Sequence, residues 1–190
     1  MEQENLENKK TTKKQSKVSR FFTVLLLVLI VFMASVLLTS LIMRAKGYFL
    51  VSVDGDSMER TIQDDDKLVA LKNAKVDYGD IIIVRDVKNY DLIKRAIAFC
   101  GDTVEIKDGG VYLNGQLLDE PYALGTTLKE TEVTIWQLED GEVFYLGDNR
   151  ENSADSRLYG VCTIDNVAGV ICEWSLTLRP FNNFIFGLFS

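Results

Sequence analysis

Three short stretches carry residue types that could act together on a peptide bond. Ser57 follows the turn-like Asp54-Gly55-Asp56 and precedes Met58. Lys94 stands beside Arg95 in Leu92-Ile-Lys-Arg-Ala-Ile-Ala-Phe99, a run otherwise apolar from end to end. Gly147-Asp-Asn-Arg-Glu-Asn-Ser-Ala-Asp-Ser-Arg-Leu-Tyr-Gly160 has the density of Gly, Asp, Asn, Ser and Arg found in a rigid, hydrogen-bonded loop. The chain contains no histidine, which excludes Ser-His-Asp and Cys-His nucleophilic chemistry outright. A serine nucleophile here needs Lys, Asp or Glu as its base.

Lys94 is the base that this chemistry would use. A lysine titrates near 10.4 in water, and burial lowers that value by up to several units, which makes a neutral amine available. Strand alternation puts Leu92, Ala96 and Ala98 on the side of Lys94, and Ile93, Ile97 and Phe99 on the side of Arg95, so periodicity buries neither preferentially. Arginine does not lose its proton in a protein, which leaves Lys94 alone as the base. The competing reading is a pair that snorkels at a strand edge. For Ser57, the turn exposes a hydroxyl and frees backbone N–H groups for an oxyanion; the competing reading is a serine that satisfies its own turn. In the third stretch Asp155 and Arg157 can pair, and Ser153 can bond a neighbouring amine.

These residues need a scaffold and an address. Phe21–Met43 has no charged residue; at about 1.5 Å per residue it makes a helix of roughly 34 Å, enough to cross a hydrocarbon core. A cleaved signal peptide has a similar basic start but an apolar region of only about 7–15 residues, so the segment reads as an uncleaved anchor. Residues 1–20 carry six Lys/Arg against three Glu. By the positive-inside rule this basic tail stays in the cytoplasm, and residues 44–190 face the outside of the cell membrane. Arg44 and Lys46 weaken that orientation without reversing it. Residues 44–190 hold fifteen Lys/Arg and twenty-five Asp/Glu, a net charge of −10 that disfavours nucleic acid as a partner.

Beyond the anchor, β-rich runs dominate: Tyr48–Val53, Lys67–Leu71, Asp80–Val84, Leu92–Phe99, Thr103–Ile106, Val111–Leu113 and Gln116–Leu118 around Asn114-Gly115, then Glu132–Leu138, Glu142–Leu146 and Val167–Trp174. The expected fold is an all-β, partly barrel-like antiparallel domain behind one transmembrane helix, with no sustained helical period after the anchor. Residues 105–142 carry no motif and read as a small hairpin-rich subdomain or lid. The apolar tail from Pro180 to Ser190 is too short to span; it reads equally as an interfacial segment or a last strand. Cys100, Cys162 and Cys172 lack metal-ligand spacing. Cys162 and Cys172 read as small buried hydrophobes in preference to a disulfide.

The chain resembles the type I signal peptidases, membrane-bound Ser-Lys endopeptidases, over nearly everything from the anchor to the C-terminus. Ser57-Met-Glu-Arg-Thr-Ile62 resembles the family's nucleophile box, Tyr78-Gly-Asp-Ile-Ile-Ile-Val84 its Gly-Asp strand, and Lys94–Val104 the box of its general base. Gly147–Gly160 resembles the last box almost position for position. The resemblance implies Ser57 as nucleophile, Lys94 as base, Ser153 holding the lysine amine, and Asp155 and Arg157 bracing the site. It implies an oxyanion site at the Ser57 N–H and the Gly55 position, where some relatives place a serine hydroxyl. It also implies shallow apolar pockets lined by Val51, Val53, Met58 and Ile93, and neither metal nor cofactor. Three departures stand out: Arg60 and Cys100 replace family prolines, with a looser turn expected after Ser57, and Gly55 replaces that serine.

The resulting expectation is an endopeptidase that removes signal peptides from secreted preproteins at the outer membrane surface, after small residues of Ala-x-Ala type. Its partners would be secretory preproteins, the lipid bilayer and the secretion machinery. One rival is an autoprotease of the SOS-repressor type, which would need a DNA-binding head where this chain has its apolar segment. The other is a non-proteolytic or dedicated-substrate assembly factor on the same scaffold, for example for surface pilins; loss of Ser57 or Lys94 would mark it, and both are present.

Overall fold

In the computed structural model the described residues are 2–87, 90–128 and 134–187. The chain divides into two compact units, Met1–Lys46 and Gly47–Ser190. The first is one helix, α1 (Glu2–Ala45), whose stretch Arg20–Ala45 is long and apolar enough to cross a membrane. Helix therefore continues well before Phe21, through residues read from sequence only as a polar tail.

The second unit is built on two antiparallel sheets. Strands β1 (Tyr48–Ser52), β2 (Lys67–Leu71), β3 (Ile81–Val87), β4 (Tyr90–Phe99), β5 (Thr103–Lys107), β6 (Gly110–Leu113), β7 (Gln116–Leu117), β8 (Ile135–Gln137) and β9 (Glu142–Leu146) come first in the chain. A short helix α2 (Ser156–Tyr159), β10 (Cys162–Thr163), β11 (Val167–Ile171), α3 (Glu173–Thr177) and α4 (Arg179–Gly187) complete it. The larger sheet runs β1-β2-β11-β3-β4-β9-β10 and the smaller β7-β6-β5-β8. Residues 105–142 thus supply most of the second sheet, and they do not separate as a compact unit of their own. Within the expected strand Glu132–Leu138, residues 129–133 lie outside the described residues, and β8 covers Ile135–Gln137.

The all-β expectation needs one correction, at the C-terminus, where Glu173 and Trp174 leave the strand for α3 and the apolar tail becomes α4. Ser175 and Asn182 of these helices are buried, and several of their polar groups bond to β2 and the turn before it. Ser175 Oγ accepts the Val69 N–H (2.7 Å), Asn183 Oδ1 accepts the Lys67 N–H (2.8 Å), and Arg179 donates to Asp66 (3.0 Å). Phe181 and Phe184 point to solvent, 61% and 66% exposed. The outward apolar period therefore disguised a helix whose polar side docks on β2.

The strand that positions the chemistry is β4, flanked by β3 and β9. A register shift between Ala96 and Ala98 bends it, and Ile97 and Ala98 then share one apolar cluster with Val104, Phe144 and Leu146. Strict alternation across Ala98 does not hold, because a bulge puts one extra residue against the partner strand. Ala96 packs instead with Ile82, Val84 and Tyr145.

Candidate active site

The path between β1 and β2 folds back over β4 in a turn that holds Ser57. Gly55 has φ +97°, a value that favours glycine, and its N–H donates to Asp64 Oδ1 (2.8 Å). After Ser57 one helix-like turn forms, with Thr61 N and Ile62 N both donating to Met58 O (3.1 and 2.8 Å). Met58 and Ile62 drop into the core and pin the turn from below. Arg60, where the resemblance led to the expectation of proline, adopts φ +82°, a backbone that proline cannot reach. Its guanidinium reaches Ala123 O (3.3 Å). The turn is thus closed, not loosened. Cys100, the other replaced proline, is an exposed free thiol; its turn is closed by Asp102 N to Phe99 O and Phe99 N to Asp102 Oδ2, both 3.0 Å.

Lys94 is 2% exposed and Arg95 9%, so the strand buries both. Lys94 Nζ lies 2.7 Å from Ser57 Oγ and donates to Ile93 O (3.0 Å). Burial pulls the amine down to about 8, against the opposing fields of Asp155 and Asp148 and with help from Arg157. A base near that value is partly neutral at ordinary pH and strong enough to take a hydroxyl proton.

The Gly147–Gly160 stretch forms the opposite wall. Strand β9 pairs Leu146 with Arg95, so the next residue, Gly147, continues opposite Lys94. A Cβ on Gly147 would collide with the Ser153 side chain and lie 2.6 Å from Ser57 O; only glycine allows this approach. Asp155 caps α2 and accepts from Gly147 N (3.0 Å), Ser153 Oγ (2.8 Å), and Arg157 Nε and Nη2 (both 2.9 Å). Asp155 and Arg157 are thus paired within the wall, and Asp155 ties it to Gly147 and Ser153. Ser153 Oγ donates to Asp155, and among the described residues the amine's partners are Ser57 and Ile93 O; the acceptor side of the Ser153 hydroxyl is not used by that bond.

The oxyanion expectation also divides. The Gly55 N–H is taken by Asp64, so it cannot serve, whereas the Ser57 N–H has no partner among the described residues. Val51, Val53, Met58 and Ile93 all line one groove of about 320 Å³ that reaches Ser57 and Lys94. A second cavity, about 470 Å³, is lined by Val76, Cys100, Val143 and Ile164 and by none of these residues. Among the described residues no cluster of acidic or thiol groups has metal-binding geometry. Cys162 and Cys172 are free thiols; burial pushes Cys162 up to about 11.

Several pairings around the site, and the residues Glu120 and Tyr122, carried no signal in the sequence. Arg95 forms a bidentate pair with Asp148 (2.8 and 2.6 Å), and Asp148 accepts from Thr61 Oγ1 (2.5 Å). Arg150 pairs with Glu120 (2.7 and 2.8 Å), and the Tyr122 ring lies 3.9 Å from the Arg95 guanidinium. Glu120 and Tyr122 belong to the motif-free region, and nothing in the order of residues linked them to Lys94.

The chain matches the family described as "Signal peptidase, peptidase S26" over residues 20–174. It is 31% identical over 174 residues to a signal peptidase IB of Staphylococcus aureus strain COL, covering 79% of this chain and 89% of that protein. Over 159 residues it is 36% identical to a signal peptidase I of Bacillus licheniformis, covering 75% and 83%. A crystal structure of a signal peptidase I from Enterococcus faecalis V583 aligns with TM-score 0.44 at 32% identity, covering 52% of this chain and 98% of that one. The family match over residues 20–174 and the identity to these curated signal peptidases show a serine endopeptidase that removes signal peptides: the chain belongs to the signal peptidase family, peptidase S26.

Proposed function

We propose that Ser57 is the nucleophile and Lys94 the general base of a Ser-Lys dyad that cuts preproteins after small residues of Ala-x-Ala type. The observation that carries this is the 2.7 Å contact between Ser57 Oγ and a buried amine held at about 8. Neutral Lys94 takes the hydroxyl proton as Ser57 attacks the scissile carbonyl. The Ser57 N–H, without a partner among the described residues, donates to the oxyanion. Lys94, now protonated, passes the proton to the leaving amine, and the acyl-enzyme is released when Lys94 activates water in the same way. The groove walls Val51, Val53, Met58 and Ile93 leave room for small side chains.

In this reading the basic N-terminus stays in the cytoplasm and residues 44–190 work on the outer face, close to the bilayer. Confinement of enzyme and preprotein to one plane raises their effective concentration. Engagement with the secretion machinery fits the same placement. The test is cleavage of a preprotein in detergent by the wild type, Ser57→Ala and Lys94→Ala, with mass spectrometry of the product. A cut after a small residue at the signal-peptide boundary, lost in both variants, is expected. Cleavage that survives either substitution contradicts the dyad.

A further inference from the structure

The segment between β7 and β8 does more than connect them. From Glu120 to Leu128 it runs along the outside of the Gly147–Arg157 wall and bonds to it repeatedly. Leu124 N donates to Asp148 O (2.7 Å) and Arg150 N donates to Leu124 O (2.9 Å), the bonds of an isolated parallel bridge. Thr127 Oγ1 accepts from Arg150 (2.8 Å), Thr126 N donates to Glu151 (3.0 Å), and Leu128 O accepts from Arg157 (3.2 Å). On its inner side the same wall holds the nucleophile turn. Asn149 N donates to Ser57 O (3.0 Å) and Asn149 Nδ2 to Asp56 O (3.2 Å). The wall is clamped between this strap and the backbone of Ser57.

Tyr122 sits where the two sides meet. Its ring lies over the Arg95 guanidinium at 3.9 Å, and its hydroxyl donates to Glu120 Oε1 (2.9 Å), the carboxylate that holds Arg150. Arg95 is the residue after Lys94, and its two bonds to Asp148 orient the carboxylate that Thr61 grips four residues after Ser57. The guanidinium lies over the ring in a residue only 9% exposed, and a cation–π contact is stronger when desolvated.

We propose that Tyr122 is a positioning residue for the peptidase reaction: its ring locks the Arg95–Asp148 pair and thereby fixes Ser57 against Lys94. This rests on the Ser57–Lys94 reading above. None of Glu120–Leu128 lines the substrate groove. The effect must therefore fall on the chemical step and not on ground-state binding.

The experiment compares wild type, Ser57→Ala, Tyr122→Phe and Tyr122→Met, each as the full chain in detergent, on a synthetic signal-peptide substrate. Phe keeps the ring and loses the hydroxyl; Met keeps similar bulk and loses the aromatic face. The expected result is kcat within about threefold of wild type for Tyr122→Phe. For Tyr122→Met, kcat should fall by about tenfold per folded molecule, with KM changed less than threefold. Labelling of Ser57 by a small serine-directed electrophile should slow to a similar extent, since it reports the nucleophile without the groove. Wild-type kcat in Tyr122→Met, an equal loss in Phe and Met, or a loss carried by KM would each overturn the proposal. So would a Met variant that does not fold, which would assign Tyr122 to the scaffold alone. Failure of the dyad reading looks different, because wild type would then be inactive or Ser57→Ala active.

Discussion

Replacing Lys94 by methionine should stabilise this protein while abolishing its activity, and the gain should depend on pH in a defined way. The buried amine sits at about 8, against an ordinary 10.5. At about 1.36 kcal/mol per unit, holding it charged costs the fold about 3 kcal/mol. Below pH 8 Lys94 is protonated in both the folded and the unfolded chain, and the folded state carries the whole cost of a buried cation. Between pH 8 and 10.5 the folded form has released its proton while the unfolded form keeps it. The unfolded chain then binds more protons, so wild-type stability rises with pH across that window. Above 10.5 both are neutral and the cost is gone. Methionine has no such dependence. The lost bonds to Ser57 and Ile93 O subtract about 1 kcal/mol from the variant at every pH. Net, Lys94→Met should exceed wild type by about 2 kcal/mol at pH 7, roughly 6 °C in Tm for a domain of this size. That advantage should decline and reverse as pH approaches 10.5. Thermal unfolding of both chains, followed by circular dichroism in detergent at pH 7, 8, 9 and 10, measures it. A constant Tm difference over that range would refute the claim that burial sets the state of Lys94.

Two further substitutions test the walls. Gly147→Ala puts a methyl against the Ser153 side chain and 2.6 Å from Ser57 O, so kcat/KM should fall at least ~100-fold, with an overpacking cost of about 1–3 kcal/mol. Adding Ser153→Ala removes the collision with Oγ but not those with the residue-153 Cβ (2.5 Å) and the Ser57 carbonyl; a double variant with wild-type activity on a peptide substrate would contradict this geometry. At Arg60, φ +82° is strained for a side-chain-bearing residue. Arg60→Gly should therefore raise stability by about 1 kcal/mol. Arg60→Pro, although it installs the residue that the resemblance led to expect, should lower Tm, and a Tm above wild type would show that the turn has a different backbone.

Much of the scaffold was legible because its signals are local. Asn114-Gly115 marked a hairpin that the structure places between β6 and β7, and the apolar runs became the central strands. The Ser57 and Lys94 candidates were legible for a different reason: the absence of histidine left Lys, Asp and Glu as base types, and the resemblance of their stretches to the signal peptidase boxes singled out these two. Burial of Lys94 was not legible, because alternation treats it and Arg95 alike, whereas a strand with a neighbour on each side buries both. The C-terminal helix was missed because its apolar period faces water, and sequence periodicity assumes that apolar residues face in. Ser153 looked like a partner for the amine by its type. Only the fold shows that its hydroxyl donates to Asp155.

The electrostatics explain why the least legible residues matter. A lysine base must stay partly neutral, yet two carboxylates, Asp155 and Asp148, act on Lys94 and favour its charged form. Each is committed to its own guanidinium: Asp155 to Arg157, with both side chains fully buried, and Asp148 to Arg95, at 0% and 11% exposure. A third pair, Arg150 with Glu120, closes the outside of the wall. Lys94 itself forms no ion pair among the described residues; its contacts are Ser57 and a carbonyl. In a low-dielectric interior, an unpaired carboxylate at this range would hold the proton on the amine. The arginine pairs of Asp155 and Asp148 are therefore the condition under which burial decides the state of Lys94. One joins residues two apart, Asp155 and Arg157, and could be read from the sequence. The other joins residues 53 apart, as the Arg150–Glu120 pair joins residues 30 apart, and only the fold brings them together.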